Sequence, residues 1–220
     1  MFMLAIENLI PPETLDEMRG LLAKSQFGDG RRTAGFSARL VKNNEQLNRD
    51  DPHTPELTKK VEAALQSSQM FNRAVRPRRT IVMFNRYEGG QSYGSHLDDS
   101  YMRGMRTDVS FTIFLNDPET YAGGELVIEQ PHGEVPIKLK AGNAIVYPST
   151  TLHRVEPVTS GVRLCAVGWV QSFIREDSKR EMLLDLDNAR LAMFDQNGKS
   201  REFDLVSKTI ANLIRLWGDG

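Results

Sequence analysis

The central part of this chain is a succession of short apolar segments with a strand-like period. The segments are rich in Val, Ile, Phe and Thr and are separated by Gly, Pro, Asn and Asp, which is the pattern of strands joined by turns. No helical period interrupts the series, so the strands should pair mostly antiparallel and close into a jelly-roll barrel. The predicted strands are residues 80–85, 107–116, 125–129, 134–139, 144–147, 151–156 and 163–172.

Helical periods flank this strand region on both sides. Before it, apolar residues recur at helical spacing after Pro12, and Thr54-Pro55-Glu56 combines the N-cap residue, proline and acid of a helix start. Residues 25–50 are polar and predict loops with one short strand at 35–42. After the strand region, apolar residues recur at helical spacing from 182 to 217. Asn197-Gly198 interrupts them, which predicts two antiparallel helices.

The predicted fold class is therefore mainly β with flanking helices. Its core would be a double-stranded β-helix (jelly roll), preceded by two N-terminal helices and followed by a C-terminal helical pair. Residues 1–76 would form an N-terminal helical flank packed on the core, 77–173 the jelly roll, and 174–220 a C-terminal helical extension. A helical pair this short makes a thin core by itself, so we expect it to extend the barrel.

Composition narrows the classes of function. The only cysteine, Cys165, falls in an apolar segment, so no internal disulfide can form and the thiol should be buried and inert. The formal net charge of −1 argues against a general nucleic-acid binder. The apolar start of the chain ends at Glu7, too early for a signal peptide or a membrane span. We therefore expect a cytoplasmic protein with no membrane partner.

The sequence His96-Leu97-Asp98 is the strongest candidate for a metal site. In an extended strand, residues i and i+2 point to the same face, so one imidazole and one carboxylate converge. A second imidazole would complete an open-sided triad of two histidines and one carboxylate, as in non-haem Fe(II) oxygenases. His153, later in the strand region, is the best candidate for it.

Arg163 is the candidate for binding an anion. It follows His153 by ten residues and lies within an apolar strand-like run. A buried guanidinium needs a negative partner. That partner is either an anionic ligand or a nearby acidic side chain in a structural ion pair.

Taken together, these residues carry a family resemblance. The motifs resemble the prolyl 4-hydroxylase group of Fe(II)/2-oxoglutarate dioxygenases, and more closely the bacterial PKHD-type hydroxylases, over roughly residues 77–173. The matching positions are Tyr87-x-x-Gly90-x-x-Tyr93-x-x-His96-x-Asp98, then Gly123-Gly124-Glu125-Leu126, His153 and Arg163.

The resemblance implies a fold, an activity and a set of ligands. The fold would be the same double-stranded β-helix, with Fe(2+) bound by His96, Asp98 and His153. Arg163 would bind the distal carboxylate of the cosubstrate 2-oxoglutarate. The enzyme would hydroxylate an unactivated C–H with O2, release succinate and CO2, and use L-ascorbate. The substrate would be a prolyl-like peptide or a small molecule, and some relatives are linked with bacterial iron uptake.

The second anchor of 2-oxoglutarate is less well defined. Tyr87, or else Tyr93, is a candidate hydrogen-bond donor, although either ring could equally belong to the core. Some prolyl hydroxylases have a tyrosine late on the strand that here reads Ser110-Phe111-Thr112-Ile113-Phe114. A phenylalanine cannot donate a hydrogen bond, so this chain departs from them there.

Three other functions compete with hydroxylation. A zinc hydrolase could use the same three ligands, but it would leave Arg163 without a role and usually needs an extra general base. A non-catalytic metabolite-binding jelly roll would not need an intact triad. A nucleic-acid demethylase tends to carry another arginine soon after the anchor, and residues 164–170 contain none.

Two features of the flanks concern contacts with partners. A basic run formed by Arg73, Arg76, Arg78 and Arg79 is either a solvated rim or a guide for an anionic substrate. An apolar stripe in the last helix must be covered by the barrel, by the preceding helix or by a second subunit in a homo-oligomer. The stripe consists of Phe203, Val206, Ile210, Leu213 and Trp217.

Overall fold

The computed structural model describes residues 3–219, which form fifteen strands and five α-helices. The strands are β1 (Leu4–Ile6), β2 (Phe27–Asp29), β3 (Lys42–Asn43), β4 (Glu45–Leu47), β5 (Pro77–Glu88), β6 (Ser92–His96), β7 (Tyr101–Met102), β8 (Met105–Arg106), β9 (Val109–Phe114), β10 (Tyr121–Gly123), β11 (Leu126–Gln130), β12 (Gly133–Ile137), β13 (Ala144–Pro148), β14 (His153–Val155) and β15 (Val158–Ser172). The helices are α1 (Pro12–Leu22), α2 (Thr54–Ser67), α3 (Gln69–Val75), α4 (Asp177–Asn197) and α5 (Arg201–Trp217).

Two antiparallel sheets form the barrel. The larger sheet has the order β1-β13-β9-β15-β5-β4-β2, with β10 also paired to β15, and the smaller has the order β12-β11-β14-β6-β3. Apolar side chains from both sheets, such as Cys165 of β15 and Ile128 of β11, pack in one buried cluster between them. This arrangement confirms the predicted mainly β fold with a double-stranded β-helix core.

The two longest strands, β5 and β15, show why the larger sheet has two different faces. Side chains alternate along a strand. Ile81, Met83, Asn85 and Tyr87 of β5 therefore line a cavity inside the barrel. The alternate residue Phe84 points outward and joins the core that the sheet shares with α1, α2 and α3. The N-terminal helices thus cover the outer face of the larger sheet.

The N-terminal region differs from the prediction in two details. Three helices precede β5 instead of two, because the helical region breaks at Ser68, whose hydroxyl accepts a hydrogen bond from the amide of Phe71 at 3.2 Å and caps α3. The strand predicted at 35–42 was wrong: 3-10 turns span Gly30–Thr33 and Ala38–Leu40, and β3 begins only at Lys42. Strands of two or three residues are too short to produce a recognisable period.

The C-terminal pair forms as predicted, with Gly198 at a φ of 63° ending α4. The preceding helix covers much of the apolar stripe of α5, because Val206, Ile210 and Trp217 pack in a cluster that includes Leu183 of α4. Asp187 of α4 is buried and forms an ion pair with Arg76, so this member of the basic run fastens the helical pair to the barrel. The division into three segments at 76 and 173 stays a prediction.

All five α-helices in the described part of the chain carry charged side chains. None of those within residues 3–219 is long and apolar enough to cross a membrane.

Candidate active site

Adjacent strands of the smaller sheet bring the two predicted histidines together. His96 ends β6 and His153 begins β14, and the two are register partners with ring centroids 4.3 Å apart. Asp98 lies two residues beyond the end of β6, with its Oδ1 3.9 Å from Nε2 of His153. The potential ligand atoms of the three side chains all lie within 4.8 Å of one another, which is close enough to bind a single metal ion.

Backbone carbonyl groups orient both imidazoles. Nδ1 of His96 lies 2.8 Å from the carbonyl oxygen of Gly94, and Nδ1 of His153 lies 3.0 Å from that of Thr151. A carbonyl can only accept, so each Nδ1 carries a proton, and Nε2 is the atom that has the lone pair when the ring is neutral. Burial, together with the neighbouring His153, lowers the pKa of His96 to about 4. The ring is therefore neutral at physiological pH, as metal binding requires.

The Asp98 carboxylate is held by a serine pair that sequence reasoning missed. Ser110 of β9 donates a hydrogen bond of 2.6 Å to Oδ2 of Asp98, which leaves Oδ1 directed toward His153. The hydroxyl groups of Ser110 and Ser149 are 2.8 Å apart. The larger sheet thus fixes a candidate metal ligand that follows a strand of the smaller sheet, and nothing in the spacing of these serines indicates it.

Arg163 is 1% exposed, and no acidic side chain among residues 3–219 forms an ion pair with it. Its guanidinium lies over the rings of Tyr87 and Phe114, at 5.1 and 5.4 Å, and Nη1 donates to the Sγ of Cys165 at 3.0 Å. Its Nε is buried without a hydrogen-bond partner. The structural ion pair considered as an alternative is therefore absent from the described residues.

The Gly123-Gly124 motif makes room for this arginine. Both glycines have a positive φ, 72° and 69°, which side chains disfavour. A Cβ on Gly124 would come within 2.9 Å of Cδ of Arg163. The second glycine, directly after β10, therefore lets the backbone approach the arginine closely.

The tyrosines occupy different ends of the site. Tyr87 lies against Arg163, whereas Tyr93 stacks on His96 with ring centroids 3.6 Å apart. Two further tyrosines were missed by sequence reasoning. Tyr147 lies 5.2 Å from the His153 ring, and Tyr121 has a buried hydroxyl without a hydrogen-bond partner. Burial raises the pKa of Tyr121 to about 12, although the nearby charge of Arg163 opposes this shift.

One cavity of about 380 Å³ joins the triad to Arg163, Tyr87 and Tyr93. The histidines, Asp98 and Arg163 line it, and so do Lys42 and Trp169. Two neutral nitrogens and one carboxylate oxygen with an open side are the donor set that suits Fe(II). The unpaired Arg163 suits a carboxylate in the same cavity. The residues present therefore fit an iron ion and a dicarboxylate cosubstrate.

Comparison with known proteins agrees with this geometry. A PKHD-type hydroxylase of Picosynechococcus sp. is 51% identical over 215 residues, which covers 97% of this chain and 98% of that protein. The chain belongs to the PKHD-type hydroxylase family. A second relative, from Acaryochloris marina, is 50% identical over 217 residues, covering 98% of this chain and 99% of its own. Residues 82–171 match the 2OG-Fe(II) oxygenase superfamily.

Solved structures support the fold. A prolyl hydroxylase of Trichoplax adhaerens, in complex with a peptide fragment of hypoxia inducible factor, superposes with a TM-score of 0.59 at 18% identity. The match covers 82% of this chain and 86% of that one. HygX from Streptomyces hygroscopicus, with nickel and 2-oxoglutarate bound, gives a TM-score of 0.57 at 15% identity and covers 79% of this chain and 84% of its own.

Membership of the PKHD-type hydroxylase family establishes the class of reaction. This PKHD-type hydroxylase is an Fe(II)- and 2-oxoglutarate-dependent dioxygenase that uses O2 as its second cosubstrate. The zinc hydrolase and the non-catalytic jelly roll are set aside by the same finding. The substrate is not fixed by it.

Proposed function

We propose that His96, Asp98 and His153 bind one Fe(II) and that Arg163 binds the distal carboxylate of 2-oxoglutarate. The observation that carries this assignment is Arg163, a buried and unpaired guanidinium in the cavity that the triad opens into. A guanidinium matches a carboxylate with two parallel hydrogen bonds. Without such an anion its burial would be costly.

The residues of the chain have separate tasks in this reaction. Bound iron and 2-oxoglutarate would supply the oxidation of the substrate C–H, with release of succinate and CO2. His96 and His153 would bind the metal as neutral imidazoles, with their Nδ1 protons held by Gly94 and Thr151. Asp98 would bind it through the oxygen not occupied by Ser110. Arg163 would orient the cosubstrate, and the apolar walls would exclude water from the reacting atoms.

A tyrosine would complete the site for the distal carboxylate. Tyr121 is the strongest candidate in the structure, since its buried hydroxyl lacks a partner and the charge of Arg163 acts on it. Tyr87, predicted from sequence, also lies against Arg163 and remains a second candidate. Tyr93 stacks on His96, so its proposed role is to fix that ligand at the metal end of the cavity.

The substrate class, location and assembly state are also proposals. A prolyl-like peptide or a small molecule remains the expected C–H donor, and cytoplasmic location and a link to iron uptake stay predictions. A homo-oligomer through α4 and α5 is supported by exposed apolar side chains on these helices, such as Phe194 and Leu216. Sedimentation of Leu216→Glu beside the parent protein would test it: an unchanged sedimentation coefficient would reject pairing through this face.

Anaerobic titration tests the iron and cosubstrate assignment. Addition of Fe(II) and 2-oxoglutarate to the parent protein should give the visible charge-transfer band of a chelated 2-oxo acid, at one equivalent of iron. His96→Ala and His153→Ala should give no band while keeping the parent circular dichroism spectrum. His132→Ala, which changes an exposed histidine in a turn, is the matched control and should behave like the parent. A full band in either triad variant would reject the ligand assignment.

A further inference from the structure

The N-terminal segment places a lysine ammonium in the active-site cavity. Lys42 of β3 is a register partner of Tyr93 and is 8% exposed. Its Nζ donates a hydrogen bond to the hydroxyl of Thr33 at 3.2 Å and lies 5.1 Å from the centre of the Tyr93 ring. No carboxylate within residues 3–219 comes within ion-pair distance of it. A buried ammonium usually has an acidic partner.

Charges elsewhere in the cavity do not balance Lys42. Burial lowers its pKa to about 8, against the opposing influence of Asp98 and Asp29, so most of the population is still protonated at neutral pH. Asp29 is already bonded to Arg31 at 2.9 Å. In the proposed complex, the charges of Fe(II), Asp98, doubly ionised 2-oxoglutarate and Arg163 sum to zero. The exposed Asp99 and Arg103, which also line the cavity, balance each other. The Lys42 ammonium therefore remains without a negative partner.

The residues around Lys42 are polar, and they come from a part of the sequence that contains none of the proposed iron ligands. Thr33 also donates to Gln46, and both residues line the cavity beside Lys42. On the larger sheet, the cavity is lined by Trp169, whose Nε1 is a buried donor with no partner. The superfamily match covers only residues 82–171. Lys42 and its neighbours thus come from a part of the chain outside that match, as expected for a determinant of substrate specificity.

We propose that Lys42 binds a carboxylate group of the substrate, so that the enzyme hydroxylates a carboxylate-bearing compound. The inference rests on the proposed iron and 2-oxoglutarate assignment, because in that assignment the charges of Asp98 and Arg163 are balanced by the metal and the cosubstrate. An ammonium and a carboxylate form a charge-assisted hydrogen bond, and Nε1 of Trp169 offers a second donor from the larger sheet. Held at this point, the substrate would present a C–H on its other end to the metal.

Tryptophan fluorescence gives a direct binding test. The chain has two tryptophans, Trp169 and Trp217, so Trp217→Phe leaves a single fluorophore in the cavity. This protein would be loaded with Zn(II) in place of iron, because zinc is redox-inert and prevents turnover. It would also be saturated with 2-oxoglutarate, so that Arg163 is occupied. It would then be titrated with N-acetylglycine and, separately, with its neutral analogue N-acetylglycinamide.

The carboxylate should change the Trp169 emission saturably and bind about tenfold more tightly than the amide, as expected for one charged hydrogen bond. Adding Lys42→Met should weaken carboxylate binding by about tenfold, and Lys42→Arg should retain part of it. Lys60→Met is the control, because Lys60 bonds Glu17 on the outer surface. Equal affinity for the two probes, no saturable response to the carboxylate, or unchanged binding in Lys42→Met would overturn the proposal.

The same variants separate this proposal from the assignment it rests on. Lys42→Met should keep the charge-transfer band with Fe(II) and 2-oxoglutarate, because it removes no group assigned to either. Absence of the band in the parent protein itself would reject the iron and cosubstrate assignment. A normal band in the parent and in Lys42→Met, with no preference for the carboxylate probe, would reject only the role of Lys42.

Discussion

Ser110 donates a hydrogen bond of 2.6 Å to Asp98, and this contact links the two sheets at the proposed metal site. Ser110 lies on β9 of the larger sheet, whereas Asp98 follows β6 of the smaller one. Because Ser149 holds the hydroxyl of Ser110 in turn, one carboxylate oxygen is fixed and the other remains available. Hydrogen bonds of this kind orient metal ligands and raise their affinity.

Ser110→Ala should therefore weaken Fe(II) binding by about tenfold or more, the usual effect of losing a partner of a metal ligand. Anaerobic competition against a coloured chelator would measure the affinity. Ser95→Ala is a suitable control, since its hydroxyl bonds Glu129 at 3.2 Å near the surface, and it should bind iron normally. If Ser110→Ala binds Fe(II) as tightly as Ser95→Ala, the hydrogen bond from the larger sheet to Asp98 does not contribute to the metal affinity.

Arg163→Met should weaken 2-oxoglutarate binding by one to two orders of magnitude, because a hydrogen bond to a charged group contributes roughly 1.5–3 kcal/mol. Arg163→Lys should recover part of the affinity, since it restores a point charge without the planar fork. Calorimetry with Mn(II) in place of iron, under nitrogen, measures metal and cosubstrate binding without turnover. Metal affinity should change little. If Arg163→Met binds 2-oxoglutarate like the parent, the arginine is structural.

The variant Tyr121→Phe tests whether Tyr121 binds 2-oxoglutarate or only packs in the core. A buried hydroxyl without a partner costs stability, so its removal should leave the melting temperature of the ligand-free protein unchanged or raise it. If Tyr121 also bonds the cosubstrate, 2-oxoglutarate should stabilise the variant less than the parent, with an affinity about fivefold to tenfold lower. Differential scanning calorimetry with and without 2-oxoglutarate gives both values. The same measurement on Tyr87→Phe decides between the two tyrosines.

Patterns repeated along the sequence were enough to predict the barrel. Alternating apolar residues in β5, β9 and β15 and the helical spacing in α4 and α5 have periods set by the backbone itself. The i, i+2 spacing of an extended segment likewise predicted that His96 and Asp98 converge, although β6 ends at His96 and Asp98 lies beyond it. The structure brings His153 beside them because β6 and β14 are neighbouring strands paired in register.

Features that depend on folding across long sequence separations were not visible. Ser110 meets Asp98 only because β9 and β6 belong to facing sheets, and Tyr121 meets Arg163 only through the pairing of β10 with β15. The edge strands of the N-terminal segment are two or three residues long, so they carry no period. Lys42, predicted only as the last residue of a strand at 35–42, therefore gave no sign that it lines the cavity.

Asp187 provides a test of how the C-terminal helices are fastened to the barrel. It is 1% exposed and pairs with Arg76, which follows α3, and with Arg190 at 2.8 Å. Removing one partner of a buried ion pair leaves uncompensated charge and costs about 3 kcal/mol or more. Asp187→Asn should therefore lower the melting temperature by roughly 6–12 °C for a chain of this size.

Asp185→Asn serves as the matched control, because Asp185 is an exposed acid on the same helix and should melt within a degree or two of the parent. Metal binding should be normal in both variants, since the helical pair contributes no residue to the cavity. Thermal unfolding followed by circular dichroism, together with the anaerobic iron titration, measures the two effects separately. If Asp187→Asn melts like Asp185→Asn, the buried ion pair does not hold the helices. The apolar contacts of Leu183, Ile210 and Ile174 would then account for their attachment.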